Sequence, residues 1–241
     1  MKNFFYSSII FVIIILGFPL NAFASYKIVF IGDSITQGYI DLSHGYVYLM
    51  EKRLLEEGYD VEIINYGISG TETSLHRKIL LDALPIDQPD LVVINSGIVD
   101  SLLVRNLIDI RDNLAAMIEN SLKYKAKIIL GLIDISWKHW TQPVYYNYNM
   151  SFLEIYKSLA SEYNIQSFPF LDVVTLKSPE YNMGDSVHPN KKGHQRICDL
   201  LYPEIVKNLP KNETILNNQE TELNDKVEMD NNLELFSIKS L

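Results

Sequence analysis

Three residues have side chains that could together carry out nucleophilic chemistry: Ser34, Asp185 and His188. A serine hydroxyl is a poor nucleophile until a base removes its proton, and that base is usually a histidine held by a carboxylate. Asp185 and His188 lie on one short stretch, so a loop or a first helical turn lets the aspartate accept a hydrogen bond from one imidazole nitrogen. The other nitrogen is then available to Ser34. Taken alone, His188 also fits a residue that steadies the start of a helix entered at Pro189.

Other chemistries have little support in the sequence. No histidine pair has HExxH or comparable ligand spacing, so no metal centre is predicted. Neither G-x-x-x-x-G-K-[ST] nor G-x-G-x-x-G occurs, so no phosphate loop and no cofactor is expected. Thr36 stands two positions after Ser34, which excludes the G-x-S-x-G turn of α/β-hydrolases. Cys198 lies in an apolar helical pattern and is predicted to be a small buried residue.

The elements that must position these residues alternate between strands and helices. Apolar runs rich in Ile and Val predict five buried strands, at Lys27 to Ile31, Val61 to Asn65, Leu91 to Asn95, Lys127 to Leu132 and Ser167 to Val173. Helical stripes lie between and after them, the clearest of which has Leu103, Leu107, Ile110, Leu114, Met117 and Ile118. The pattern predicts an α/β fold, a flavodoxin-like three-layer α/β/α sandwich with a five-stranded parallel sheet. Because ligands of such sheets bind beyond the carboxyl ends of the strands, the loops at those ends are the expected site.

The first segment of the chain, residues 1–24, reads as a secretory signal peptide. Lys2 precedes an apolar run that ends in Ala22-Phe23-Ala24, which predicts cleavage before Ser25. The alternative is an uncleaved single-span anchor, which the short run disfavours. The protein is therefore expected to be secreted or periplasmic, with no stable membrane insertion after cleavage.

The rest of the chain is predicted to form one domain followed by a tail. Residues 25–210 carry the strand and helix pattern, whereas residues 211–241 are acidic and rich in asparagine and are predicted to be disordered. A formal net charge of −9 argues against a nucleic-acid partner, since phosphate binding needs clustered basic residues. The single cysteine excludes an intramolecular disulfide.

Four loops, in this order along the chain, resemble the sequence blocks of the SGNH hydrolases, also called GDSL-like esterases and lipases. They are Gly32-Asp33-Ser34-Ile35-Thr36, Asn65-Tyr66-Gly67-Ile68-Ser69-Gly70-Thr71, Gly97-Ile98-Val99-Asp100 and Asp185-Ser186-Val187-His188-Pro189-Asn190. The resemblance implies a flavodoxin-like sandwich that hydrolyses esters through an acyl-enzyme on Ser34, with His188 as base and Asp185 as its orienting partner. It also implies an oxyanion hole that contains the backbone N–H groups of Ser34 and Gly70.

One position departs from the family pattern. The third block of the family reads Gly-x-Asn-Asp, and its asparagine side chain also donates to the oxyanion, but here that position holds Val99. Losing one such donor typically costs about 10² to 10³ in rate. Three outcomes are open: an active enzyme in which Asn95 or Ser96 replaces the donor, an active but slow enzyme, or a glycan-binding or assembly module that has lost catalysis. The complete set of nucleophile, base and carboxylate favours an active esterase.

The substrate prediction depends on the loop after the fourth strand. Residues 136–146 contain both tryptophans, Trp137 and Trp140, together with several tyrosines. Their rings could stack on a sugar or line an acyl pocket, or they could simply pack over the sheet edge. Together with the predicted export, this favours a small-molecule or glycan ester as the partner, and an acetyl ester on a cell-surface glycan over a long-chain lipid.

Overall fold

A computed structural model describes residues 25–38, 42–135 and 143–210. In it, five parallel strands form one sheet in the order β2-β1-β3-β4-β5. The strands are β1 (Tyr26–Gly32), β2 (Val61–Gly67), β3 (Leu91–Asn95), β4 (Lys127–Ile133) and β5 (Gln166–Leu171). This is the flavodoxin-like order, and it confirms the predicted α/β class and the five-stranded parallel sheet.

Helices cover both faces of the sheet. They are α1 (Ser34–Gln37), α2 (Tyr46–Glu56), α3 (Thr73–Asp87), α4 (Ile98–Leu102), α5 (Leu107–Lys123), α6 (Pro143–Glu162), α7 (Val173–Lys177) and α8 (Lys191–Val206), with a 3-10 turn at Leu42–His44. Helix α5 packs against α3 and α6, whereas α2 packs against α8. These two helical layers enclose the parallel strands, as right-handed crossovers require.

Burial differs between the central and edge strands. Every residue of β3 is buried, as are Ile28 to Gly32 of β1. Edge strand β2 is different, since Val61 is its one buried residue. The expectation of strands covered on both faces therefore holds at the centre of the sheet and fails at β2, which has a neighbouring strand on one side alone.

The long helical stripe predicted from Leu103 to Ile118 is interrupted. Helix α4 ends before Leu103, and α5 begins at Leu107 because the Asn106 side chain accepts a hydrogen bond from the Ile108 N–H at 2.9 Å. Leu103 is consequently outside both helices and 51% exposed.

Two other sequence expectations meet different outcomes. Strand β5 was expected to reach Val173, but it ends two residues earlier because Asp172 caps α7 by accepting from the Thr175 N–H at 2.7 Å. Cys198 is buried in α8, as predicted, and burial raises the pKa of its thiol to about 12. A thiol with so high a pKa stays protonated around pH 7, so Cys198 is not an activated nucleophile.

The two terminal segments, residues 1–24 and 211–241, lie outside the described residues, as do residues 136–142 with both tryptophans. Within the described ranges, no helix has the length and apolarity needed to cross a membrane.

Candidate active site

Ser34 stands at the sharp turn where β1 passes into α1. Asp33 is the N-cap of this short helix, and its Oδ1 accepts from the Ile35 N–H at 3.0 Å. Gly32 is needed before the turn because a Cβ there would lie 2.3 Å from the carbonyl oxygen of Asn95. The turn places Ser34 at the carboxyl edge of the sheet, where the sequence predicts the site.

The structure brings the three predicted catalytic side chains together. Ser34 Oγ lies 3.0 Å from His188 Nε2, and His188 Nδ1 lies 2.6 Å from Asp185 Oδ2. A carboxylate can only accept a hydrogen bond, so Nδ1 carries the proton and Nε2 faces the serine hydroxyl as an acceptor. This is the arrangement in which an imidazole can remove the serine proton.

Asp185 is held in its ionised form. Partial burial acts to raise the pKa of its carboxyl, but hydrogen bonds from the backbone and side chain of His188 and from the Val187 N–H outweigh it, so this pKa lies below its usual value. The two backbone N–H groups donate to Asp185 Oδ1 at 2.9 Å each. The carboxylate therefore orients His188 through both of its oxygens.

The loop that carries His188 is fixed from within. Asn182 Oδ1 accepts from the Gly184 N–H at 2.7 Å and from the Ser186 N–H at 2.9 Å. Asn190 caps α8 by accepting from the Gly193 N–H at 3.0 Å. The alternative role considered for His188, at the start of this helix, thus belongs to Asn190.

A cleft of about 410 Å³ opens beside Ser34. Its lining residues are Ser34, Ser69, Gly70, Ile98, Val99, Leu102, Leu103, Val187 and His188. Ser34 itself is 6% exposed, so nearly all of this residue is shielded from solvent. Most of the lining side chains are aliphatic, and such walls suit the apolar part of a small ligand.

Gly70, the predicted second oxyanion donor, lies in the same cleft. Its φ of +73° is in the left-handed region, where glycine is favoured. The Ile68 N–H donates to the Gly32 carbonyl at 3.0 Å, and the Ser69 N–H donates to Gln37 Oε1 at 3.0 Å. The loop is therefore tied to the end of β1 and to the end of the helix that begins with Ser34.

Val99 also lines the cleft. Asn95 and Ser96, the two residues expected to supply the side-chain donor that Val99 lacks, do not line it. Asn95 Nδ2 donates to Tyr46 Oη at 2.6 Å, and Ser96 Oγ lies 2.6 Å from His76 Nδ1. Both side chains are fully buried. The expectation that Asn95 or Ser96 replaces the donor is corrected by these contacts, which direct both side chains into the interior.

Sequence reasoning missed a buried polar layer beneath the cleft. Asp100 accepts from the N–H and the hydroxyl of Thr73, at 2.9 and 2.7 Å, and so joins α4 to the first turn of α3. Burial raises the pKa of Asp100, and it raises the pKa of Asp33 to about 7. The signal available in the sequence was an acid directly after an apolar strand, at Asp33, and another shortly after the third strand, at Asp100.

Comparison with known proteins agrees with this geometry. Residues 30–196 match the model of the GDSL-like lipase/acylhydrolase family. The chain therefore belongs to this family, the SGNH hydrolases, and is a serine hydrolase that acts on ester bonds.

Named relatives include esterases of similar length. The chain is 31% identical over 199 residues to an arylesterase of Vibrio mimicus, a match that covers 81% of this chain and 97% of the relative. It is 27% identical over 183 residues to esterase TesA of Pseudomonas aeruginosa, covering 76% of this chain and 89% of the relative.

Solved structures that are similar to this chain also include esterases. A crystal structure of TesA superposes with a TM-score of 0.69 at 28% identity, covering 76% of this chain and 99% of that one. The SGNH-hydrolase family esterase AlinE4 superposes with a TM-score of 0.59 at 27% identity, covering 78% of this chain and 98% of that one.

Proposed function

We propose that the protein hydrolyses carboxylic esters through an acyl-enzyme on Ser34. The observation that carries the proposal is the distance of 3.0 Å between Ser34 Oγ and His188 Nε2, with Asp185 Oδ2 2.6 Å from the other ring nitrogen. His188 takes the hydroxyl proton as Ser34 attacks the acyl carbon, and it returns that proton to the departing alcohol. Water then attacks the acyl-enzyme with His188 again as base, which releases the acid and restores Ser34.

The backbone N–H groups of Ser34 and Gly70 are proposed to stabilise the oxyanion. Gly70 lines the cleft together with Ser34, in a loop tied to the end of α1, which supports this role. Val99 has no side-chain donor to add. We therefore expect slower turnover than the same site would have with a third donor, by up to about 10² to 10³.

The acyl group is proposed to lie against the aliphatic wall of the cleft, formed by Ile98, Val99 and Leu102 among others. This wall supports a small apolar acyl group, and the arylesterase among the relatives supports aromatic esters as test substrates. An acetyl ester on a glycan stays a sequence prediction, since both tryptophans that motivated it lie outside the described residues.

Hydrolysis of p-nitrophenyl acetate by the purified protein tests the reaction. We expect turnover in the wild type and in Ser158→Ala, a control on helix α6, and loss of turnover in Ser34→Ala. Equal rates for wild type and Ser34→Ala would overturn the proposal of an esterase that uses Ser34. They would favour the alternative, a non-catalytic glycan-binding or assembly module.

The acyl and alcohol preferences need a second comparison. Rates on p-nitrophenyl acetate, butyrate and decanoate report the acyl group, and acetate release from an acetylated xylo-oligosaccharide reports the alcohol. Faster release from the oligosaccharide than from the aryl ester would support the glycan prediction. No release from it would remove that prediction and leave the esterase intact.

Export is proposed from residues 1–24, with residues 25–210 as the catalytic domain and residues 211–241 as a disordered tail. The charged start, the apolar run and Ala22-Phe23-Ala24 support cleavage before Ser25. N-terminal sequencing of the protein from the producing cells checks this. A protein that begins at Ser25 outside the cytoplasm is expected, and an intact N-terminus in the membrane fraction would favour the uncleaved anchor.

A further inference from the structure

We infer that His76 is a positioning residue that holds Gly70 in place for the oxyanion, an inference that rests on the ester hydrolysis proposed above. His76 lies on α3 and is fully buried, outside the lining of the cleft. It does not touch the place where substrate would bind. Its two ring nitrogens instead join the loop of Gly70 to the residue that follows β3.

The direction of each hydrogen bond follows from the chemistry of the groups. The Thr71 hydroxyl lies 2.6 Å from the Ile68 carbonyl, which can only accept, so the single hydroxyl proton is used there. Thr71 Oγ1 must then accept from His76 Nε2–H, at 2.5 Å. His76 Nδ1 is left as an acceptor, and it receives the hydroxyl proton of Ser96 at 2.6 Å.

This chain of hydrogen bonds requires a neutral imidazole, since one nitrogen donates and the other accepts. Burial lowers the pKa of His76 to about 4 and outweighs a hydrogen bond with the backbone of Gly32, which acts to raise it, so the ring is neutral around pH 7. The end of β3 is itself fixed, because Tyr156 Oη donates to the Ser96 carbonyl at 2.7 Å. His76 therefore connects a rigid strand end to the loop.

This series of hydrogen bonds ends at two groups of the loop, the Ile68 carbonyl and the Thr71 hydroxyl. The two residues lie on either side of Gly70 in the sequence. The loop is fixed at β1 by the Gly32 carbonyl and at α1 by Gln37. His76 adds an attachment toward β3. Because position 99 offers no side-chain donor, the proposed oxyanion site depends on the Ser34 and Gly70 N–H groups. Displacement of one of them by about 1 Å is enough to cost about 10²-fold in rate.

Steady-state kinetics with p-nitrophenyl acetate test the inference. His76→Leu fills similar space without hydrogen bonds, and Thr71→Val removes the hydroxyl alone with little change of shape. We expect kcat to fall about 10- to 100-fold in His76→Leu, and in the same direction in Thr71→Val, with KM within about threefold. His76→Gln, whose amide both donates and accepts, should recover part of the loss.

A second readout separates oxyanion positioning from general damage to the fold. Phenylboronic acid adds to a nucleophilic serine as a tetrahedral anion, so its inhibition constant should rise in His76→Leu by a factor similar to the fall in kcat. The control is Leu80→Ala, a fully buried residue of the same helix. It should lower stability but leave kcat per folded molecule and boronic acid inhibition unchanged.

The inference is overturned if His76→Leu and Thr71→Val keep kcat within twofold, or if kcat falls while boronic acid inhibition does not change. If His76→Leu fails to fold, Thr71→Val carries the same test. Failure of the proposed function is distinguishable, because wild type and Ser34→Ala would then hydrolyse the ester equally.

Discussion

Replacing Val99 with asparagine should raise turnover. Val99 lines the cleft and is only partly buried, so an amide of similar size can occupy its place without opening the core. The proposed oxyanion site has two backbone donors, from Ser34 and Gly70, and a third preorganised donor is worth up to about 10² to 10³ in rate. In a cleft shaped around valine we expect a smaller gain, about tenfold in kcat, which corresponds to about 1.4 kcal/mol of transition-state stabilisation.

The assay is steady-state hydrolysis of p-nitrophenyl acetate by wild type, Val99→Asn and Val99→Leu. Leucine has nearly the shape of asparagine and no donor, so the ratio of Val99→Asn to Val99→Leu isolates the hydrogen bond from the change in volume. We expect this ratio to be about ten in kcat, with similar KM values. If Val99→Asn is no faster than Val99→Leu or wild type, the missing donor does not limit the rate and the reasoning is refuted.

Asp185→Asn should lower kcat about 10²-fold or more on the same ester, since His188 Nδ1–H loses the carboxylate that accepts its hydrogen bond at 2.6 Å; a loss below tenfold would contradict this. Gly67→Ala should destabilise the fold by about 2 kcal/mol or more in urea unfolding, because a Cβ would lie 2.2 Å from the Gln37 backbone nitrogen, and an unchanged midpoint would argue against such crowding. The Asp33 pKa, raised by burial to about 7, lies above that of the unfolded chain, so its contribution to stability is present at low pH and lost as the pH rises through about 7. Asp33→Asn should remove that loss, about 1 kcal/mol per pH unit between about pH 5 and 7, and parallel stability profiles for the two proteins would show that Asp33 does not titrate there.

Much of the fold follows from local pattern. Continuous runs such as Leu91 to Asn95 predict strands because β-branched residues suit a sheet buried on both faces, and β3 has the bounds that the run predicts. Parallel strands bring their carboxyl ends to one edge, so Ser34 could be assigned to the site before its partners were known to lie near it. The interruption of the stripe before Leu107 was harder to predict. It depends on one capping side chain, Asn106, against a hydrophobic period that continues across the break.

The deeper parts of the site could not be predicted because they depend on contacts distant in sequence. His76 could not be assigned a role from the sequence, since nothing near it in the chain identifies Ser96 as its partner. Asn95 and Ser96 stand close to Val99 in the chain, which suggested them as replacement donors. Successive side chains at the end of β3 point to opposite faces of the sheet, and both faces are covered there, so Asn95 contacts Tyr46 and Ser96 contacts His76 inside the protein.

The central claim is that Ser34 is a nucleophile activated by His188. Labelling with a fluorophosphonate, followed by intact mass measurement and peptide mapping, tests it most directly. One adduct on Ser34 is predicted in the wild type, formed at least about 10²-fold more slowly in His188→Ala and absent in Ser34→Ala. No adduct, an adduct on another residue, or equal labelling rates in wild type and His188→Ala would contradict the claim.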